Sequence, residues 1–153
     1  MADIVSPKVR SRMMAGIKSK NTKPELIIRK GLHRQGFRFR LHAKELVGKP
    51  DLVLSRYNAV IFVNGCFWHG HDSHLFRIPT TRSDFWKQKI FKNKENDRNA
   101  ITSLSYDGWR IATVWECALK GKNKLDENDV INRLSRWLKS EENTVSILGN
   151  KLK

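Results

Sequence analysis

Cys66 opens a run that gathers most of this chain's metal-binding chemistry into one short stretch, Gly65-Cys66-Phe67-Trp68-His69-Gly70-His71, followed by Asp72, Ser73 and His74. The other cysteine, Cys117, lies far away in sequence. Thiolate and imidazole donors suit zinc, which takes nitrogen and sulfur ligands in a tetrahedron. One ion held by Cys66, His71 and Cys117 would tie a long loop to a distant segment. That demand restricts the fold more than any other feature. The spacing is not that of a zinc finger. Ser73 is a poor ligand, so His74, Asp72 or a water is left for the fourth position. The plainer alternative is two buried cysteines with surface histidines, and we weigh zinc above it.

A chain of 153 residues reads as one domain. A domain of this size buries roughly 70% of its unfolded surface and needs no disulfides to hold a core. Two cysteines cannot build a secreted disulfide framework, and no apolar signal-type run opens the chain. No stretch approaches the roughly 20 apolar residues of a membrane span. We expect a reduced, cytoplasmic protein. Basic residues number 30 against 15 acidic ones, a net charge of +15. Such an excess says nothing about fold but predicts a polyanionic partner. Any single basic run, such as Trp86 to Arg98, reads first as a solvated helical face. The excess over the whole chain favours nucleic acid. An acidic membrane is the weaker reading, because no amphipathic segment shows a broad apolar face.

Along the chain, Met1 to Lys20 mixes bases with Val5, Met13, Met14 and Ile17, as a short helix or an arm that orders on a partner. Asn21 or Thr22 caps a helix with Pro24 in its first turn and Glu25 at its positive end, and Gly36 ends it. Leu26, Ile27 and Leu32 give that helix its buried face. Phe37 to His42 alternates apolar and basic residues, the pattern of a half-exposed strand. Asp51–Leu54 and Ala59–Val63 read as a hairpin of buried strands joined at Arg56-Tyr57-Asn58. Residues 65–81 form a long loop of the kind that is usually functional or metal-held. Ser83 caps a helix from Asp84 to about Asp107, with Phe85, Ile90, Ile101 and Leu104 at helical spacing. Trp109–Trp115 is a strand. Asp126–Lys139 is a last amphipathic helix with Val130, Ile131, Leu134, Trp137 and Leu138 inward. The tail to Lys153 is expected to fray. Alternation of helices and strands in this order predicts an α/β fold, a central mixed sheet flanked by helices.

Pro50-Asp51 opens a buried strand, a place where metal-dependent nucleases hold Mg²⁺ beside the scissile phosphate. Taken alone the pair is more often a turn. Glu25, near a helix start, could position a water or a second metal. His69 could be a general acid or base, or a surface histidine; zinc on Cys66 and His71 would fix its direction. Phe67, Trp68 and Trp86 are candidates for stacking on bases. Core packing explains most aromatics, but Phe67-Trp68 lies in a polar loop that is hard to bury.

Five stretches resemble the very short patch repair endonucleases: Arg10-Ser11-Arg12-Met13-Met14, Gly48-Lys49-Pro50-Asp51, Val63 to His71, Thr81-Arg82-Ser83-Asp84-Phe85-Trp86 and Trp115-Glu116-Cys117-Ala118-Leu119. The match runs in order over nearly the whole chain. It implies an enzyme that nicks DNA 5′ of the T in a T:G mismatch, the lesion left when 5-methylcytosine deaminates. It implies a fold similar to type II restriction endonucleases. By residue match, Asp51 would bind Mg²⁺ with the Val63 carbonyl as second protein ligand, and Glu25 would help hold metal-bound water. His69 would be the acid–base residue. Cys66, His71 and Cys117 would hold a structural zinc. Phe67, Trp68 and Trp86 would wedge into the duplex, and Met14 would press in from the minor groove. Lys89 and Asn93 would sit near the mismatched bases. The implied organisation is a DNA-contacting segment over 1–20, an endonuclease domain over 21–140 and a tail over 141–153. The implied protein is a monomer in the bacterial cytoplasm, on the nucleoid when bound to DNA, with mismatch-repair proteins as candidate partners and no membrane.

This chain departs from the family in two places. Some members carry His at the position of Asn64, so a catalytic hydrogen bond differs there. Members carry a Cys zinc ligand at the position of Ser73, which leaves His74 or water as the substitute. Three rival functions remain on the residues alone. A restriction-type endonuclease would not need aromatic wedges. A binding module without catalysis would not need Asp51, Glu25 and His69 together. An RNA-binding zinc protein finds no particular support in the cluster.

Overall fold

A computed structural model describes residues 22–67, 69–71 and 78–150. The N-terminal arm with Met14, the Trp68 side chain and the Asp72-Ser73-His74 run lie outside the described residues. Helix α1 is Lys23–Arg34, capped by Thr22, whose Oγ1 accepts the Glu25 N–H at 3.4 Å. Strands β1 (Arg40–Leu41), β2 (Leu52–Leu54) and β3 (Ala59–Asn64) follow. Helix α2 is Ser83–Tyr106, β4 is Arg110–Trp115, α3 is Glu127–Leu138 and β5 is Thr144–Ile147.

The five strands lie in chain order in one sheet. β1, β2 and β3 pair antiparallel, and β3–β4 and β4–β5 pair parallel, so the sheet is mixed as expected. Side chains alternate across it because successive strand residues point to opposite faces. Leu52, Leu54, Ala59, Ile61, Ala112 and Val114 meet α1 and α3 on one side. Val53, Val60, Phe62 and Ile111 meet Leu104 of α2 on the other. The result is three layers, a sheet between helices. Both faces of β3 are covered, which is why it reads as a continuous apolar run rather than an alternating one. Among the described residues, no helix is long and apolar enough to cross a membrane.

Four expectations are corrected by the structure. The half-exposed strand over Phe37–His42 shrinks to Arg40–Leu41, because Phe37 turns into the α1–α3 core and His42 leaves the ladder with a left-handed φ of 49°. Ser83 does not cap α2: Arg82, at φ 58°, stands at the cap and no side chain bonds there. The inward stripe of α2 is Ile90, Ala100 and Leu104, whereas Phe85 and Ile101 face solvent. The tail expected to fray supplies β5, parallel to β4, and Ile147 is fully buried. The α3 face was read correctly, with Val130, Ile131, Leu134, Trp137 and Leu138 all buried.

Candidate functional site

Parallel pairing decides where the chemistry collects. Asn64 at the end of β3 stands opposite Trp115 at the end of β4. Two residues further along each chain come Cys66 and Cys117, so equal offsets from one register bring two distant cysteines together. The β5 register, with Ile147 opposite Val114, delivers Gly149 to the same place. Its N–H donates to Cys117 Sγ at 3.3 Å. β2 runs antiparallel to β3, so Asp51, just before β2, also lies at this end, its N–H bonded to the Ile61 carbonyl at 3.0 Å. The carboxyl ends of parallel strands are where open α/β sheets place ligands.

The first pocket there is soft. His71 Nδ1 lies 3.4 Å from Cys66 Sγ and 3.7 Å from Cys117 Sγ. All three donor atoms lie within 4.8 Å of one another, and both cysteines are buried thiols that form no disulfide. Sulfur and nitrogen bonded to one tetrahedral zinc would stand about 3.6 Å apart. The residues therefore fit that ion. The His71 ring stacks flat on Trp115, centroids 4.2 Å apart at 13°, which fixes its plane. Glu116 accepts the Cys66 N–H at 3.2 Å and holds the loop's start.

The second pocket is hard. It joins Glu25, His42 and Asp51, again with donor atoms within 4.8 Å. Asp51 Oδ2 accepts the Val63 N–H at 2.7 Å, so the carboxylate lies beside the Val63 peptide. Glu25 is 1% exposed, on the buried stripe of α1. Its oxygens meet His42 Nε2 at 2.9 and 3.1 Å, and Arg29 donates to Oε2 at 3.0 Å. Burial pushes the Asp51 carboxyl up to about 7, and the Glu25 carboxylate pushes the same way against the Val63 N–H, which favours the ionised form. A carboxylate held this far from its ordinary range, beside another carboxylate, marks a candidate functional site. The donor set fits a divalent cation.

His69 stands between Cys66 and His71, in the loop of the soft pocket. Its Nδ1 meets Asp97 Oδ2 at 2.5 Å, and its ring meets Trp115 edge-on at 6.2 Å. Gly70 follows at φ 62° and is pressed on α2: a Cβ there would lie 2.6 Å from Ile90 Cγ2. The loop therefore docks on the helix that carries Asp97.

Beside this lies an aromatic row. Phe67 and Trp86 meet edge to face with centroids 5.5 Å apart, Trp86 meets Phe85 at 5.2 Å, and the Arg82 guanidinium covers Phe85 at 4.3 Å. Phe67 and Trp86 are half-buried, so they are neither core nor fully solvated. Asn93 is half-buried on the Trp86–Ile90 side of α2, and Lys89 is exposed. Asn64, half-buried, ends β3 next to the first pocket. On the outer side of α1, Arg29, Lys30, His33 and Arg34 border an open groove of about 550 Å³ with Phe39 and Leu41.

The structure brings together Cys66, His71 and Cys117, and Asp51 with Glu25, the groupings the sequence suggests. Sequence reasoning missed His42, Asp97 and Trp115. His42 looked like one more basic residue on a strand face, and Asp97 is one of several acids on a charged helix.

Residues 2–75 match the family model described as DNA mismatch endonuclease Vsr. The chain is 43% identical over 141 residues to the DNA mismatch endonuclease Vsr of Escherichia coli, covering 92% of this chain and 90% of that one. It is 48% identical over 139 residues to the type II nicking enzyme V.NmeAIP of Neisseria meningitidis serogroup A, covering 91% and 98%. It is 44% identical over 126 residues to the type II nicking enzyme V.XorIIP of Xanthomonas oryzae pv. oryzae, covering 82% and 93%.

Proposed function

The chain belongs to the Vsr family of DNA mismatch endonucleases, and from that premise we propose that it nicks duplex DNA 5′ of the T in a T:G mismatch, with Mg²⁺ as catalytic ion and zinc as structural ion. The observation that carries the proposal is the half-buried Asp51 beside the buried Glu25 at the end of the sheet, bonded to β3, the strand that leads to His69. Asp51, with the Val63 carbonyl, would hold Mg²⁺, and Glu25 would orient its water. Mg²⁺ there would polarise the phosphoryl oxygen and favour attack by water.

The chain's own residues do the rest. Asp97 accepts the Nδ1 proton of His69, which fixes one tautomer and leaves Nε2 to exchange a proton with the attacking water or the leaving oxygen. Cys66, His71 and Cys117 would hold zinc, and zinc there would supply rigidity rather than chemistry. Ser73 lies at the position where the family carries a fourth ligand, so Ser73→Cys should tighten zinc binding. Phe67, Trp86 and Trp68 would enter the duplex beside the mismatch, where opening costs least. Met14 would press from the other groove, and Lys89 and Asn93 would face the bases. Asn64, in place of histidine, can donate a hydrogen bond to the site but cannot carry a proton through it. The net charge of +15 supplies phosphate contacts. The protein would act as a monomer on the bacterial nucleoid, with mismatch-repair proteins as partners.

The test is nicking of labelled duplexes carrying T:G or T:A in several contexts, with and without Mg²⁺. Nicking confined to T:G duplex in Mg²⁺ is the expected outcome. Equal cutting of matched DNA would replace this reading with a restriction-type endonuclease.

A further inference from the structure

His42 is the member of the hard pocket that the mechanism above does not use. Its Nε2 stands 2.9 and 3.1 Å from the two Glu25 oxygens. Neighbouring donors on one octahedral ion with bonds near 2.1 Å stand about 3.0 Å apart. The contact is a hydrogen bond as it stands, and its length is also that of two ligands on one ion, so an ion would fit without either group moving far. Asp51 completes the set within 4.8 Å.

Two further observations speak against a plain ion pair. Glu25 has a cation partner without the imidazole, because Arg29 donates to Oε2 at 3.0 Å. His42 is also held at a left-handed φ of 49°, which an L residue rarely adopts, while its N–H bonds the Asp51 carbonyl at 3.0 Å. Strain of that kind persists where the surroundings over-determine it, commonly at functional sites. Here the same residue grips the Asp51 backbone with its N–H and the Glu25 carboxylate with its ring.

We propose that His42 is a metal ligand of the nuclease centre, and that its nitrogen raises the affinity of the centre for first-row transition ions such as Mn²⁺ while leaving it able to use Mg²⁺. Oxygen-only sites suit Mg²⁺, whereas an imidazole donor favours borderline ions. The inference deepens the endonuclease reading and rests on it for the role of the ion.

Mn²⁺ titrated into zinc-loaded protein tests it, read by pulsed electron paramagnetic resonance for a directly bonded nitrogen. Wild type should bind Mn²⁺ with a strong nitrogen modulation. His42→Gln should lose the modulation and bind Mn²⁺ about tenfold more weakly, with Mg²⁺ affinity changed far less. Asp51→Ala should lose the signal as well. Modulation that survives in His42→Gln overturns the proposal, as does bound Mn²⁺ without nitrogen modulation in wild type. A nitrogen signal that persists in Asp51→Ala belongs to another site and overturns it too. If melting curves show that His42→Gln does not fold, the wild-type and Asp51→Ala spectra decide. Nicking is measured separately: a protein with the nitrogen signal that cuts no duplex overturns the endonuclease reading and leaves this assignment standing.

Discussion

The two pockets at the end of the sheet have the same number of donors and opposite chemistry. Each gathers three donors within 4.8 Å, and each includes one histidine. Cys66, His71 and Cys117 are stacked, backbone-bonded and soft. Glu25, His42 and Asp51 are hard, and they oppose two carboxylates at close range. The soft pocket ties the loop after β3 to the end of β4, where the Gly149 N–H also bonds Cys117 Sγ. The hard pocket joins elements already fixed by α1 and the β2–β3 pairing, so a cation held there would be free to serve chemistry. One pocket should therefore fail as stability and the other as activity.

Asp51→Asn should give the largest effect. Nicking should fall by at least about 10³-fold, since metal ions supply several kcal/mol and each tenfold is 1.36 kcal/mol. Binding of T:G duplex should hold, and the melting temperature should not fall. A folded variant that still nicks would break the assignment of the hard pocket. Cys117→Ser should do the reverse: zinc content falls from near one per chain to none, and melting drops by roughly 10 °C or more, as for loss of several kcal/mol. Metal analysis finding no zinc in wild type would leave the cysteines as core residues.

The pH dependence sharpens the contrast. The folded Asp51 value of about 7 stands above its ordinary 3.8. The folded protein therefore keeps a proton that the unfolded chain has released. In Mg²⁺-free buffer, stability should fall as pH rises between about 4 and 7, and stay low above that window. Saturating Mg²⁺ should flatten the slope, and Asp51→Asn should abolish it. Melting series at several pH values decide, and an identical slope in Asp51→Asn would mean another group is responsible. The smallest effect is expected from Phe67→Ala. It should cost roughly 1–3 kcal/mol in duplex binding, the range for a lost base–aromatic stack, with more lost for T:G than for matched DNA. A large melting drop with equal loss on both duplexes would make the Phe67–Trp86 contact ordinary packing.

The soft pocket was legible because few residue types can do its work, and Cys66 and Cys117 were the available thiols. Asp51 was legible because Pro-Asp stood at a strand start. His42 was not, since its approach to Glu25 depends on one left-handed residue that ends β1. Alternation over Phe37–His42 pointed instead to a longer strand. Asp97 was hidden for a different reason: its meaning comes from where the loop docks on α2, and helical spacing cannot show that. β5 was missed because its exposed Thr144 and Ser146 resemble a polar tail, and only β4 gives them a register.

Gly70 carries a consequence for how such a protein can change over generations. It separates His69 from His71 by a single residue and lies flush against Ile90. An insertion, a deletion or a side chain at this point shifts both imidazoles at once. Variation that reaches the soft pocket through this tripeptide is inherited by His69 and its Asp97 contact, so selection on the fold and selection on the proposed proton-transfer residue act here on the same few codons.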